Sequence, residues 1–233
     1  MNIALILSGG VGSRMRSDGF PKQYIEIKDK PILLYTLEKF QTCQAIDKIV
    51  IVADPTWQKQ ITQWMNASGI SKFAGFANPG ESRQESIFSG LSACMEISRS
   101  EDDGVIIHDG VRPLVSHDLI FACLDALTEY DGSMPVLPVT DTTYLSQDGK
   151  HISGLLDRST LFSGQAPEAF RLHPYYRINK AATKQELAET RGTTEIAYRH
   201  DFNIRLIPGE YGNFKLTTPT DLDRFRALLE ETK

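Results

Sequence analysis

Cysteine is scarce in this chain, with three among 233 residues. Cys43, Cys94 and Cys123 stand far apart, form no CxxC pair and join no histidine cluster. That excludes a disulfide framework and a cysteine-built zinc site, and leaves buried, reduced thiols as the reading. Long apolar runs are lacking too. The first, Ile3 to Leu7, ends at Gly9-Gly10, too short for a signal peptide or a membrane span, so a cytoplasmic location and no membrane partner are expected. Basic charge is not in excess: 25 Lys and Arg face 30 Asp and Glu, a net charge of -5, which argues against nucleic acid as a partner. An acidic chain holds phosphates by concentrating its cations at one place, so the position of each Lys and Arg tells more than the total. Internal repeats, low-complexity tracts and domain linkers are also absent.

The remaining composition, 41% hydrophobic and 24% charged, is that of an ordinary soluble domain, and the length suits one large α/β unit. Strand and helix patterns alternate, which predicts a Rossmann-like, doubly wound, mainly parallel sheet. Ile3–Leu7 is a continuous apolar strand of the kind covered on both faces. Pro31–Phe40 has Leu33, Leu37 and Phe40 at helical spacing, and Lys48–Ala53 is a strand. Asp54-Pro55 caps a helix carrying Trp57, Ile61 and Trp64. Phe73–Ala77 reads as a short strand. Ser82 and Glu85 form a capping-box pattern ahead of Ile87, Leu91 and Cys94. Gly104–His108 is a strand ending at Asp109. Ser116 caps a helix with Ile120, Leu124 and Leu127, and Met134–Val139 is a further strand. Thr218, Pro219 and Asp221 open a last helix. The polar stretch Thr140–Arg158, with its turn at Gln147-Asp-Gly149, breaks the pattern and reads as a protruding β-hairpin, either a dimerisation arm or a mobile surface hairpin.

The strongest local signal is Leu7-Ser-Gly-Gly-Val-Gly-Ser-Arg-Met15 followed by Pro21-Lys22-Gln23. Glycines after a first buried strand let the backbone approach a phosphate chain closely, with amide N–H groups turned inward. Met15 stands where a dinucleotide fingerprint starting at Gly10 needs glycine, and no Gly-Lys-Ser/Thr completes a Walker A loop. The turn is accompanied instead by two fixed cations, Arg14 and Lys22. Attack at the α-phosphorus of a nucleotide builds charge on the phosphoryl oxygens, and cations held there stabilise the transition state more than the ground state.

The same stretch resembles the family of 2-C-methyl-D-erythritol 4-phosphate and ribitol-5-phosphate cytidylyltransferases. Further stretches match in order over nearly the whole chain: Gly80–Ser86, His108–Pro113, Pro138–Thr142, Asp157-Arg158, Gln165–Pro167 and Asn213–Pro219. The resemblance implies one nucleotidyltransferase domain over residues 1–233, with an arm at about 140–158. It implies transfer of CMP from CTP to a small sugar or polyol phosphate with release of pyrophosphate, in isoprenoid or cell-surface polymer biosynthesis. Leu7, Ser8, Gly9, Gly10, Gly12, Gly80, Arg83, Ser86, Asp109 and Gly110 then hold the nucleotide, with Asp109 beside a magnesium ion. Arg14, Lys22 and Lys215, the last on a late strand, contact the reacting phosphates. Thr140, Arg158 and Thr193 serve the acceptor, and Arg158 reaches from the arm of one subunit into its neighbour, so a homodimer is implied.

Two departures fall on the acceptor side. A Gln-Thr-Pro-Gln motif appears as Gln165-Ala-Pro-Glu168, which removes a hydroxyl at Ala166. A Thr-Asp-Glu-Ala motif appears as Thr193-Thr-Glu-Ile196, which removes a carboxylate at Thr194. A site that changes its hydroxyl-binding groups changes the polyol it accepts. With Trp57 and Gly209–Asn213, this places ribitol 5-phosphate or a related polyol phosphate ahead of methylerythritol phosphate. Among rivals, a pyrophosphorylase for another base shares the glycine turn, a glycosyltransferase lacks its Asp-x-Asp here, and a non-catalytic nucleotide-binding module would have lost the cations. The five scattered histidines offer no nucleophile–base pair.

Overall fold

The computed structural model describes residues 1–10 and 20–231; Gly12 and Arg14 lie outside them. In chain order the strands are β1 (Asn2–Leu7), β2 (Glu26–Ile27), β3 (Lys30–Pro31), β4 (Lys48–Val52), β5 (Phe73–Ala77), β6 (Gly104–Asp109) and β7 (Gly132–Pro138). They continue as β8 (Thr143–Leu145), β9 (Gly154–Leu156), β10 (Phe162–Gly164), β11 (Glu168–Arg171) and β12 (Ile204–Pro208). The helices are α1 (Ile32–Thr42), α2 (Pro55–Ala67), α3 (Arg83–Ile97), α4 (His117–Asp125), α5 (Leu172–Ala181), α6 (Lys184–Glu189), α7 (Thr193–Arg199) and α8 (Pro219–Glu231).

β1 lies between β4 and β6, parallel to both, and β5 extends the sheet beyond β4. Beyond β6 come β11 and then β7, which also pairs with β10 and, in parallel, with β12. The sheet is mainly parallel, as expected, with β10 and β11 running against their neighbours. Alternate residues of each central strand feed opposite cores. Ala4, Ile6, Ile49, Ile51 and Ile106 pack under α1, α2 and α4. Ile3, Leu5, Val50, Val52, Val105 and Ile107 pack against α3, α5 and α7. A smaller cluster joins α8, through Leu222 and Phe225, to Ile27, Ile32, Val111 and Leu216.

The local signals formed as read. Asp54 caps α2 by accepting from the Thr56 amide, Ser82 and Glu85 close a capping box on α3, and Ser116 caps α4. All three thiols are buried and unpaired. Three expectations need correction. α4 ends at Asp125, so Leu127 sits on a following 3-10 turn. The turn at Gln147–Gly149 is part of a longer loop, residues 146–153, joining β8 to β9. Lys215 lies on no strand, because residues 209–218 run irregularly between β12 and α8.

The arm is the two-stranded hairpin of β8 and β9, hydrogen-bonded within itself and apart from the main sheet. Arg158 ties its base by donating to the Thr140 carbonyl at 2.6 Å. Tyr144, Leu145, Ile152 and Leu155 are exposed on it.

α3 sits so close to the sheet that a Cβ on Gly90 would stand 2.4 and 2.8 Å from the two Leu5 methyls and 2.9 Å from Val52 Cγ2. Helix propensity favours Gly90→Ala by about 1 kcal/mol, whereas overpacking costs about 1–3 kcal/mol. The clash is expected to win, and urea denaturation should show Gly90→Ala to be less stable by about 1 kcal/mol. A gain in stability would contradict this packing.

Candidate active site

The chain runs outward from β1 to β4 and β5, then returns to β6 on the other side of β1. The connections therefore reverse at the carboxyl ends of β1 and β6, the place where open α/β sheets leave a crevice for ligands. A cavity of about 490 Å³ opens there. Leu7, Ser8, Gly9 and Gly10 line it from the end of β1; Gly80, Arg83 and Ser86 from the start of α3; Asp109 from β6; Lys22 from a 3-10 turn, residues Lys22–Tyr24; and Lys215 from an irregular segment.

Each wall has a visible support. Gln23 donates to the Ser8 and Gly10 carbonyls at 2.7 and 2.9 Å, and the Tyr24 hydroxyl donates to Ser8 O at 3.1 Å. Those bonds tie the Ser8 and Gly10 carbonyls back toward Gln23. Glycine is required by contact at two points: a Cβ on Gly9 would stand 2.6 Å from Pro79 Cβ, and one on Gly80 2.3 Å from Glu85 Cβ. Ser86 accepts from the Gly80 amide and donates to the Ser82 carbonyl, so the capping turn of α3 is part of the wall. Gly110 donates its amide to Leu7 O, joining the exits of β1 and β6.

Asp109 is the electrostatic centre. Its Oδ2 lies 3.1 Å from Lys215 Nζ and 3.2 Å from Arg112 Nε, and its Oδ1 lies 3.6 Å from Arg83 Nη2. Burial works to raise its pKa, but Lys215, Arg83 and Arg112 outweigh burial and hold the carboxyl well below the usual range. Lys215 keeps its place without a strand because Arg112 donates to Asn213 O, the Leu216 amide to Val111 O, and Lys22 Nζ to Leu216 O at 3.0 Å. His108, beside Asp109, is fully buried with its Nε2 3.0 Å from Arg112 O, and burial pushes its pKa down to about 4. It is a neutral strand-end residue at pH 7, as its sequence position suggested.

Thr193 is brought to the same place, accepting from Arg83 Nη1 at 2.5 Å. Thr140 and Arg158 are not; they bind each other at the base of the arm and do not line the cavity. Of the two acceptor-side departures, Thr194 finds a partner in the last residue of the other motif, its hydroxyl donating to the carboxylate of Glu168. A carboxylate missing at 194 is thus present across the hydrogen bond at 168. Trp57 stacks on Tyr24 with centroids 4.3 Å apart, behind the glycine turn. Sequence reasoning missed Gln23 and Glu168 as site residues. It also missed the buried chain in which Gln84 donates to Asn179 and Tyr175, while Tyr175 donates to Thr193 O. Among the described residues no three His, Cys, Asp or Glu side chains gather as a metal cage, and no helix is long and apolar enough to cross a membrane.

The profile of the IspD family, 2-C-methyl-D-erythritol 4-phosphate cytidylyltransferase, matches residues 2–231. The chain belongs to the IspD family. It is therefore a nucleotidyltransferase of the cytidylyltransferase type. Among IspD relatives, a protein of Streptococcus agalactiae serotype Ia named ribitol-5-phosphate cytidylyltransferase is 33% identical, over 99% of this chain and 96% of its own length. One of Rubrobacter xylanophilus named 2-C-methyl-D-erythritol 4-phosphate cytidylyltransferase is 40% identical, over 97% of this chain and 94% of its own. The crystal structure of a 4-diphosphocytidyl-2C-methyl-D-erythritol synthase superimposes with a TM-score of 0.80 at 27% identity, covering 98% of both chains.

Asp109→Ala should leave Arg83, Arg112 and Lys215 without their shared counter-ion. Arg83 and Lys215 are about a third exposed, so the expected loss of stability in urea denaturation is about 1–3 kcal/mol rather than the full cost of a buried broken pair. Inorganic pyrophosphate should restore part of it by supplying the missing negative charge. An unchanged denaturation midpoint would contradict the clustering of these charges.

Proposed function

We propose that this chain transfers CMP from CTP to ribitol 5-phosphate or a related polyol phosphate and releases pyrophosphate. The observation that carries the reading is the cavity between β1 and β6, where the glycine turn, Lys22, Lys215 and Arg83 surround Asp109. An acceptor phosphate oxygen attacks the α-phosphorus; the new P–O bond forms as the bond to the β-phosphate breaks, and pyrophosphate leaves in line. The attacking oxygen is anionic near neutral pH, so no strong general base is needed, and catalysis rests on positioning and charge neutralisation. Lys22 and Lys215 face the triphosphate. Gly9 and Gly10 admit it closely to the backbone, and Gly80, Arg83 and Ser86 take the nucleoside end. Arg14 belongs to the same proposal by its place in the motif.

The donor set suits a magnesium ion that arrives on the nucleotide. Asp109 supplies one carboxylate at the cavity, and magnesium needs few protein ligands when phosphates provide other oxygens. The ion would neutralise charge on the triphosphate, with Asp109 holding it.

The acceptor assignment rests on the departures at Ala166 and Thr194 together with Trp57 and Gly209–Asn213, as the resemblance reads them. The 40% identity to the Rubrobacter xylanophilus relative favours methylerythritol phosphate as the second reading. The exposed apolar side chains of β8, β9 and their loop support a homodimer joined through the arm, with Arg158 and Thr140 serving the neighbouring acceptor site.

Pyrophosphate release with magnesium, each of CTP, UTP, GTP and ATP, and a panel of polyol and sugar phosphates tests the reading. CTP-dependent release with ribitol 5-phosphate is expected; release with methylerythritol phosphate alone would select the second reading, and release with no CTP-containing mixture would overturn both. In the same assay Lys22→Ala should keep the fold and lower turnover by about 100-fold or more, the scale of losing one preorganised charge donor. Unchanged turnover would remove Lys22 from the mechanism.

A further inference from the structure

A second carboxylate beside a triphosphate site repels the ligand, so its presence needs a reason. Asp109 has one in its three cations. Glu168, at the start of β11, is 8% exposed and does not line the cavity. Its Oε2 accepts from the Thr194 hydroxyl; burial raises its pKa, against which Arg83 and the two threonines act. Its Oε1 lies 4.0 Å from Arg83 Nη2. Thr193, in turn, accepts from Arg83 Nη1. The guanidinium is therefore held at both terminal nitrogens, Nη2 between Asp109 at 3.6 Å and Glu168 at 4.0 Å, and Nη1 by a threonine whose carbonyl is fixed by Tyr175. Arg83 is long and about a third exposed, and without such a fork its side chain would lose rotamer entropy on meeting the ligand.

We propose that Glu168 is a positioning residue: with Thr194 it forms one hydrogen-bonded unit whose single negative charge aims Arg83 at the cavity. The charge matters more than which of the two residues bears it. Removing the carboxylate frees the guanidinium to swing toward Asp109 or solvent, weakening nucleotide binding before it affects the chemical step, because Lys22 and Lys215 do not touch Glu168. The inference rests on the proposed function in taking Arg83 as a nucleotide contact.

The test is a cycle of the parent chain, Glu168→Gln, Thr194→Asp and the double variant, read by calorimetric CTP binding, by steady-state KM and kcat, and by thermal unfolding. Glu168→Gln should weaken CTP binding about tenfold, the scale of a charge-assisted hydrogen bond, with kcat within about twofold of the parent. Thr194→Asp, with two carboxylates in contact, should be less stable than the parent. The double variant, which moves the charge across the same hydrogen bond, should recover CTP binding to within about threefold of the parent, a residual of under 1 kcal/mol. Glu168→Gln with parental CTP affinity, a loss confined to kcat, or a double variant no better than Glu168→Gln would overturn the inference alone. If Glu168→Gln does not fold, the double variant decides by the same measure. A parent chain that binds no CTP would overturn the functional reading and this inference together.

Discussion

Three cations meet at Asp109, and the charged side of the site depends on that carboxylate. Arg83 comes from the first turn of α3, Arg112 from the exit of β6 and Lys215 from a segment with no regular structure. Unit charges 4 Å apart interact by about 4 kcal/mol at an effective dielectric of 20, so three guanidinium and ammonium groups would otherwise push these segments apart. Asp109 can serve them because it ends a central strand, paired there with Leu7 of β1 and two residues beyond the point where β11 pairs with Ile107. An acidic chain thus builds a local positive field, ready before the ligand arrives and needing little reorganisation when it does.

That arrangement explains why so much of the nucleotide side could be read from residues alone. Caps and apolar periods are local signals, and Asp54, Ser82 and Ser116 each start the helix that follows them. The strand ends that carry Ser8 and Asp109 become neighbours as soon as β1 and β6 pair, so two motifs separated by a hundred residues arrive together. What could not be read is held by bonds with no local pattern. Lys215 looks like part of a strand because Phe214 and Leu216 flank it, yet its position is set by Lys22, Val111 and Arg112 across long stretches of chain. Thr194 looked like a loss against a motif and Glu168 drew no reading; their contact exists because β11 and the start of α7 meet beside Arg83, and neither residue signals that alone.

The acceptor side poses a different physical problem. A polyol phosphate brings up to two negative charges, and strong recognition of phosphate needs charge-assisted donors of its own. Lys22, Lys215 and Arg83 line the cavity with Asp109, where the proposed function assigns all three to the nucleotide. Arg158, the arginine that the resemblance gives to the acceptor, stands instead at the base of a hairpin outside the cavity. A two-stranded hairpin is marginally stable by itself in water, and this one exposes Tyr144, Leu145, Ile152 and Leu155, an apolar surface of the kind that marks a protein–protein contact. Docking the arm on a second copy would bury that surface and carry Arg158 to a cavity short of acceptor cations. On the proposed dimer, the exposed apolar area and the position of Arg158 would have one cause, and the contact that stabilises the arm would complete the acceptor site.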